Sequence, residues 1–343
     1  MNRLIDNSFL GYDSVSLEIT SICNFKCVYC PMSREDILSG IMPKEKAYKA
    51  IDDIKKYIDK VGHIELNLMG EPFIHPHLND IIEYAKGKNI KVRLITNGSL
   101  LSKDVLPYLS GCVLKISLET LDEKCFNYLR GTKIKFDNYI FGIVSFINKA
   151  KDYPDATIQL DILYLKHALA KQLAGILPDN SFINCIYRSK YPLFNDVLGF
   201  LGKVTKVDKD LLSRNFGSGM FENKKVLYKI SDNIILYLKE YYNWVSLKSK
   251  LPIQNELSPC LVSKFGIKFN GDVVLCCNDY NGSTSMGNIF KEDISGIFGR
   301  SKKTIDSLRK GIFTYDTCKR CKGYYSKRHR LIRKVRQLVG NVL

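Results

Sequence analysis

Cys23, Cys27 and Cys30 occupy one short stretch in the spacing CxxxCxxC. Thiolates are soft ligands, and three of them on one loop form an incomplete shell for a [4Fe-4S] cluster or for tetrahedral zinc. One metal position would then stay open to a ligand that the chain does not supply. A second set, Cys260, Cys276, Cys318 and Cys321, offers four thiolates, with Gly271 five residues before Cys276 and the last two cysteines arranged as CxxC. Four thiolates complete a shell without outside help. Zinc is the alternative occupant, because ligand spacing alone does not separate it from iron.

The elements that must position these thiols are read from hydrophobic period. Strand-like stretches recur at 15–20, 63–69, 90–95, 112–118, 156–163 and 182–187, with helical patterns in most of the gaps. Ile64, Leu66 and Leu68 alternate with polar residues, as a half-buried strand requires. The first helix starts near Pro43 and places Ala47, Ile51, Ile54 and Ile58 on one face. Such βα alternation predicts a parallel sheet with helices outside it, and six units suit an open barrel better than a closed eight-stranded one. Chemistry is then expected at the strand C-termini. Residues 190–228 show no period, and a helix is predicted after them with Ile234, Ile235, Leu238, Tyr241, Tyr242 and Val245 on one face. From Cys260 onward the chain reads as Gly-punctuated hairpins, with Gly266 to Phe269 and Val273 to Cys277 as the strands, too poor in core to stand without a staple.

The 343 residues are 45% hydrophobic and 25% charged, an ordinary globular composition that excludes global disorder. No apolar run reaches the roughly 18 residues of a membrane helix, and the first fourteen residues lack a secretory h-region. Eleven cysteines without an export signal are expected to be reduced and partly metal-bound, in a cytoplasmic protein. The expected organisation is a lead (1–14), a βα core (15–189), a bridging segment with a helix (190–255), a small cysteine-rich domain (256–325) and a basic tail (326–343).

With these residues in place, the first half of the chain resembles the radical S-adenosylmethionine (SAM) superfamily. Its CxxxCxφC loop is matched by Cys23, Cys27, Tyr29 and Cys30, and its GGEP turn by Met69, Gly70, Glu71 and Pro72, with Met in place of the first Gly. The resemblance implies that SAM chelates the open iron and that Glu71 holds its amino group. It further implies that Asn97, in the turn Thr96–Asn97–Gly98, lies near the ribose, Ser117 at the cofactor, and Arg130 at the SAM carboxylate. Glu119 stands where many members have Asp. The second cysteine set, with Met286, Gly287, Asn288 and Ile289 between its pairs, is similar to the SPASM and twitch domains, closer to the single-cluster twitch form. The Gly271 spacing favours Cys276 over Cys277 as a ligand. The implied fold is a partial (β/α)6 barrel followed by a SPASM/twitch domain, and the implied cofactors are SAM and two [4Fe-4S] clusters.

The resemblance implies reductive cleavage of SAM to a 5′-deoxyadenosyl radical, with flavodoxin or ferredoxin as electron donor. The expected reaction is dehydrogenation or epimerisation of a sugar or aminocyclitol-like molecule, the auxiliary cluster accepting an electron. Tyr187 and Arg188, at the end of the sixth expected strand, are candidates for the accompanying proton transfer. Cys185 on that strand is a candidate hydrogen-atom donor, while the usual role of a leftover cysteine, as for Cys112 and Cys125, is core packing. Modification of a ribosomally made peptide is the alternative. An RNA-modifying enzyme and a non-catalytic iron–sulfur scaffold are weaker readings.

The net charge is +17, but nine Lys or Arg and no acid follow Asp316, and no RNA-binding motif accompanies them. In that tail Leu331, Ile332, Val335, Leu338, Val339 and Val342 share a helical face, with Arg328, Arg330, Arg333, Lys334 and Arg336 supplying charge. Such a helix either docks on the protein or gives peripheral contact with an anionic membrane surface.

Overall fold

The computed structural model describes residues 12, 14–33, 35–57, 62–165, 181–187, 190–205, 226–241, 260 and 264–322. The basic tail, and with it the membrane expectation, lies outside them. Among the described residues no helix is long and apolar enough to cross a membrane.

Five of the expected strands form where the alternation places them: β1 (Ser14–Leu17), β2 (His63–Glu65), β3 (Val92–Thr96), β4 (Val113–Glu119) and β5 (Thr157–Tyr164). Between them run α1 (Lys44–Tyr57), α2 (Leu78–Gly87), α3 (Glu123–Arg130) and α4 (Phe136–Ala150). All five strands are parallel in the order of the chain. In α1 the residues Ala47, Ala50, Ile51 and Ile54 are fully buried, so its apolar stripe faces the sheet as the spacing predicts. Across the sheet, Leu94, Leu114, Ile116, Ile158 and Leu160 join the same core. The residues that alternate with them face the other, concave side.

The sixth parallel strand is not 182–187. That stretch forms a short helix, α5 (Ser181–Asn184), and its only β-bridge to the sheet among the described residues joins Tyr187 to Tyr164. The strand beside β5 is β7 (Ile234–Glu240), where the sequence pattern predicts a helix. It pairs in parallel with β5 from Ile158–Ile234 to Tyr164–Glu240 and folds back antiparallel onto β6 (Val226–Ser231). The two-residue link Asp232–Asn233 makes that hairpin, and Asn233 anchors it by donating to the carbonyls of Ala150, Tyr153 and Ala156. The stretch after Tyr187 also has a period: α6 (Lys190–Thr205) buries Leu193, Val197, Leu201 and Val204 at helical spacing.

The C-terminal hairpins appear as expected: β8 (Lys264–Ile267), β9 (Asp272–Val274) and β10 (Ser285–Asn288), followed by α7 (Ile294–Arg309) and α8 (Asp316–Lys322). They are not a separate sheet. β8 pairs in parallel with β1 over its whole length, from Ser14–Lys264 to Leu17–Ile267, so the full order is β10-β9-β8-β1-β2-β3-β4-β5-β7-β6. Tyr12, Phe265 and Phe298 pack their rings together at this joint, with centroids 4.9 to 5.9 Å apart.

Candidate active site

The loop that follows β1 carries the cysteine triplet, and its shape is fixed from behind by α3. The Val28 amide donates to Leu129 O at 3.1 Å, and Phe25 meets Phe126 edge-on. Gly131 ends α3 with φ +56°, and a Cβ there would strike the backbone carbonyl of Lys26 in the loop. Positive φ and close approach both demand glycine. Gly131→Ala is therefore expected to cost more than about 1 kcal/mol in denaturant unfolding and to lower iron uptake on reconstitution.

Within the loop, Cys23 Sγ accepts from the Phe25 amide at 3.4 Å and from Asn97 Nδ2 at 3.9 Å, and the Cys30 amide donates to Cys27 O. Burial pushes the thiols of Cys23 and Cys27 up and that of Cys30 up to about 12, with each neighbouring sulfur adding to the effect on Cys30. Among the described residues no three His, Cys, Asp or Glu side chains gather closely enough for a single metal ion.

Glu71 ties the turns after β2 and β3 together. Its carboxylate accepts from the Phe73 amide (3.2 Å), the Thr96 hydroxyl (2.7 Å) and the Asn97 amide (2.7 Å), and it is almost wholly buried. Burial raises its pKa, and the three donors oppose that rise. A carboxylate has about four acceptor positions, so one remains for a further donor such as an ammonium group. Before it, Gly70 has φ +75°, and a Cβ there would run into the Thr20 and Ser21 backbone. Asn97 is held on every side: its amide side chain donates to Asn24 Oδ1 and accepts from the Ser99 amide, and its carbonyl accepts from Tyr139.

Arg130 reaches the same place from the last turn of α3. Its guanidinium donates to Tyr29 Oη at 3.0 Å and Asn97 O at 3.4 Å, sits 3.7 Å from Glu119 and lies over the Phe25 ring. Glu119 adopts φ +67° at a bulge in β4 between Ser117 and Glu119, a strained conformation for a residue with a Cβ. Such strain concentrates at functional sites. Ser117 is buried just before that bulge, opposite Asp161 of β5. Glu119 Oε2 and Arg130 Nε are buried without a hydrogen-bond partner. A spare acceptor at Glu71, an unpaired donor at Arg130 and three thiols beside them fit a cluster whose open metal position takes an amino acid.

The remaining candidates sit elsewhere. Tyr187 Oη donates to Asp196 of α6 at 2.6 Å and accepts from the Leu121 amide, and burial followed by the Asp196 contact pushes its pKa up, which binds its proton more tightly. Cys185 does not lie on a strand: it follows α5 and is disulfide-bonded to Cys125 of α3, with a Cα–Cα distance of 5.2 Å, against the expectation of reduced thiols. The reason is proximity: a small cluster of Leu129, Leu163, Phe182 and Ile183 packs α5 against α3. Arg188 lies outside the described residues. Cys112 is core.

Of the second cysteine set, Cys276 follows β9, Cys318 and Cys321 lie on α8, and the Cys260 amide donates to Leu308 O of α7. Burial first, then the sulfurs of Cys277, Cys321 and Cys318, push the Cys276 thiol up. Cys277 lies near Lys264 and Glu65 and also near Cys321. Tyr12, which the sequence does not flag, stands beside Cys276, Cys260 and Cys318 and donates to Leu275 O. Asp279 shapes the turn after the cysteine pair by accepting from the amides and hydroxyls of Ser283 and Thr284. Another residue missed by sequence reasoning is Glu18, fully buried between β1 and the loop, which accepts from the Phe269 amide of the C-terminal domain. Burial raises its carboxyl to about 7, with Lys268 opposing. A lone acid in an apolar run carries no signal that it will face another domain.

A parallel partial barrel with this loop at its strand ends is the architecture of radical SAM proteins, and the profile of that superfamily matches residues 17–153. The SPASM iron–sulfur cluster-binding domain matches residues 260–322. The chain is a member of the radical SAM superfamily with a C-terminal SPASM domain. It is 30% identical over 125 residues to the antilisterial bacteriocin subtilosin biosynthesis protein AlbA of Bacillus subtilis, covering 35% of this chain and 27% of that protein. It is also 30% identical over 152 residues to GTP 3′,8-cyclase of Mannheimia succiniciproducens, covering 41% and 43%. The chain thus spans less than half the length of these relatives. In fold it is similar to the structure of anSMEcpe with bound AdoMet, with a TM-score of 0.50, 18% identity and coverage of 87% and 82%.

Proposed function

We propose that this protein is a radical SAM enzyme that removes a hydrogen atom from an unactivated carbon of a sugar-like alcohol, leading to dehydrogenation or epimerisation. The observation that carries the reading is the convergence of Glu71, Asn97, Glu119, Arg130 and Tyr29 behind Cys23, Cys27 and Cys30, over a concave sheet face lined with polar side chains. When bound, SAM and the cluster supply the 5′-deoxyadenosyl radical. Cys23, Cys27 and Cys30 would hold the cluster, Glu71 and Arg130 would receive the ammonium and carboxylate of SAM, and Asn97 and Ser117 would flank its nucleoside. Tyr29 and Glu119 fix Arg130, so the guanidinium is already oriented before the cofactor arrives. Anaerobic incubation with SAM and dithionite should release 5′-deoxyadenosine. Absence of that product from iron-replete protein rejects the reading.

Cys260, Cys276, Cys318 and Cys321 are proposed to hold an auxiliary [4Fe-4S] cluster. Cys276 is preferred because both Cys318 and Cys321 act on it, whereas only Cys321 of that pair acts on Cys277, whose first charged neighbour is Lys264. Replacing Cys318 and Cys321 by Ala is expected to leave 5′-deoxyadenosine formation measurable while abolishing product. Unchanged product yield would separate this cluster from the chemistry. Peptide modification is the second reading, favoured by the similarity to the bacteriocin biosynthesis protein.

A further inference from the structure

The concave face below the cofactor site carries charges that the cofactor does not use. Positions alternating with the core residues place Arg93 on β3, Lys115 on β4, Gln159 and Asp161 on β5 and Lys239 on β7 on that face, with Glu65 of β2 and Lys264 of β8 beside them. The two carboxylates are taken. Glu65 pairs with Lys264 at 2.9 Å and accepts from the Ser16 hydroxyl, while Asp161 accepts from Gln159 and lies 3.7 Å from Lys239. Arg93 and Lys115 are left over. Among the described residues neither side chain makes an ion pair or hydrogen bond, and Arg93 Nε is buried without a partner. Burial and then the neighbouring Arg93 charge push the Lys115 ammonium down; Asp161 and Glu65, already engaged by Lys239 and Lys264, oppose that without pairing with it, and Lys239 adds to it.

Two like charges, partly removed from water and unpaired, destabilise a fold unless something of opposite sign completes them. We propose that Arg93 and Lys115 form a subsite for the dianionic phosphoryl group of the substrate, which makes the compound a sugar phosphate or a similar phosphate ester. This rests on the reading of the site as one acting on a sugar-like alcohol. A phosphate monoester carries about −1.5 to −2 charges at neutral pH, which matches two cations, whereas a carboxylate matches one. Arginine offers a planar fork to two phosphate oxygens, and lysine adds a point charge. An amine-bearing substrate would be repelled. Spacing agrees with the assignment: at about 3.3 Å per residue, Lys115 lies about 7 Å below Ser117 and Arg93 about 13 Å below Asn97 along the strands. The phosphoryl end would sit deep, and the carbon skeleton would extend up to the cofactor.

The test is calorimetric titration of the reconstituted enzyme, saturated with SAM, with α-D-glucose 1-phosphate, inorganic phosphate, glucuronate and glucose. Glucose 1-phosphate and inorganic phosphate are expected to bind saturably, with glucuronate and glucose at least tenfold weaker. Lys115→Gln and Arg93→Gln should each weaken glucose 1-phosphate at least tenfold with SAM affinity unchanged. Arg93→Lys keeps the charge, should retain most of the binding, and serves if Arg93→Gln fails to fold. Equal binding of glucuronate, or unchanged phosphate binding by Lys115→Gln, overturns the assignment. Formation of 5′-deoxyadenosine is read separately, so loss of the anion site with cleavage intact rejects only the subsite. Phosphate binding without cleavage rejects only the radical chemistry.

Discussion

Replacing Cys23, Cys27 and Cys30 together by Ala is expected to abolish 5′-deoxyadenosine formation and to remove half of the iron. Wild-type protein reconstituted under argon should hold about eight iron atoms and eight sulfides, four of each per [4Fe-4S] cluster, and the variant about four. The reason is local. The loop offers thiolates only at these three positions, and its backbone is already pinned by the Val28–Leu129 hydrogen bond and by Gly131, so it has little freedom to recruit a substitute. The variant should stay folded, because Cys23 and Cys27 only pack against the rim of the main core and Cys30 against a small separate cluster. Retained cleavage would end the assignment of this loop as the cofactor site, and stoichiometric zinc in the wild type would reject the two-cluster proposal.

The second large effect is expected at Arg130. Methionine there preserves volume but leaves Glu119 as a buried carboxylate without its cation, a loss of roughly 3–5 kcal/mol in stability for a pair this enclosed. SAM affinity should fall by about one to two orders of magnitude, the scale of one charge-assisted hydrogen bond. Arg130→Lys keeps the charge but cannot reach Tyr29 and Asn97 O at once, and should recover stability better than affinity. Adding Glu119→Gln to Arg130→Met removes the orphaned charge and is expected to restore a large part of the lost stability but none of the SAM binding. Unfolding curves and calorimetry separate the two. Wild-type SAM affinity in Arg130→Met would show that this guanidinium only builds the wall.

The turns that meet at Glu71 were legible because their signals are local. Gly70 and Glu71 lie five and six residues after the end of β2, and Asn97 follows β3 directly. Each residue stands beyond a strand end, where a short motif and its structural context coincide. The sixth strand was misplaced because a short apolar run has no decisive period: Ile234, Ile235, Leu238 and Tyr241 fit a helical face, yet β7 buries Ile234 and Leu236 and leaves Ile235 and Tyr237 half-buried. What decides is Asn233, whose three carbonyl contacts come from some eighty residues earlier. The pairing of Lys264, Glu65 and Ser16, and so the isolation of Arg93 and Lys115, depends on register between β8, β1 and β2, which no single segment encodes.

The parallel seam between β1 and β8 also sets a timetable for the newborn chain. β1 leaves the ribosome well before its partner, and one of its edges stays unpaired until Ile267 emerges about 250 residues later. At roughly 5–20 residues per second this is an interval of about 12–50 s, during which an open strand edge is a template for unwanted pairing. Tying the auxiliary domain into the barrel rather than appending it is therefore expected to make the chain lean on chaperones during synthesis, and to lower the yield when translation is cut short before β8.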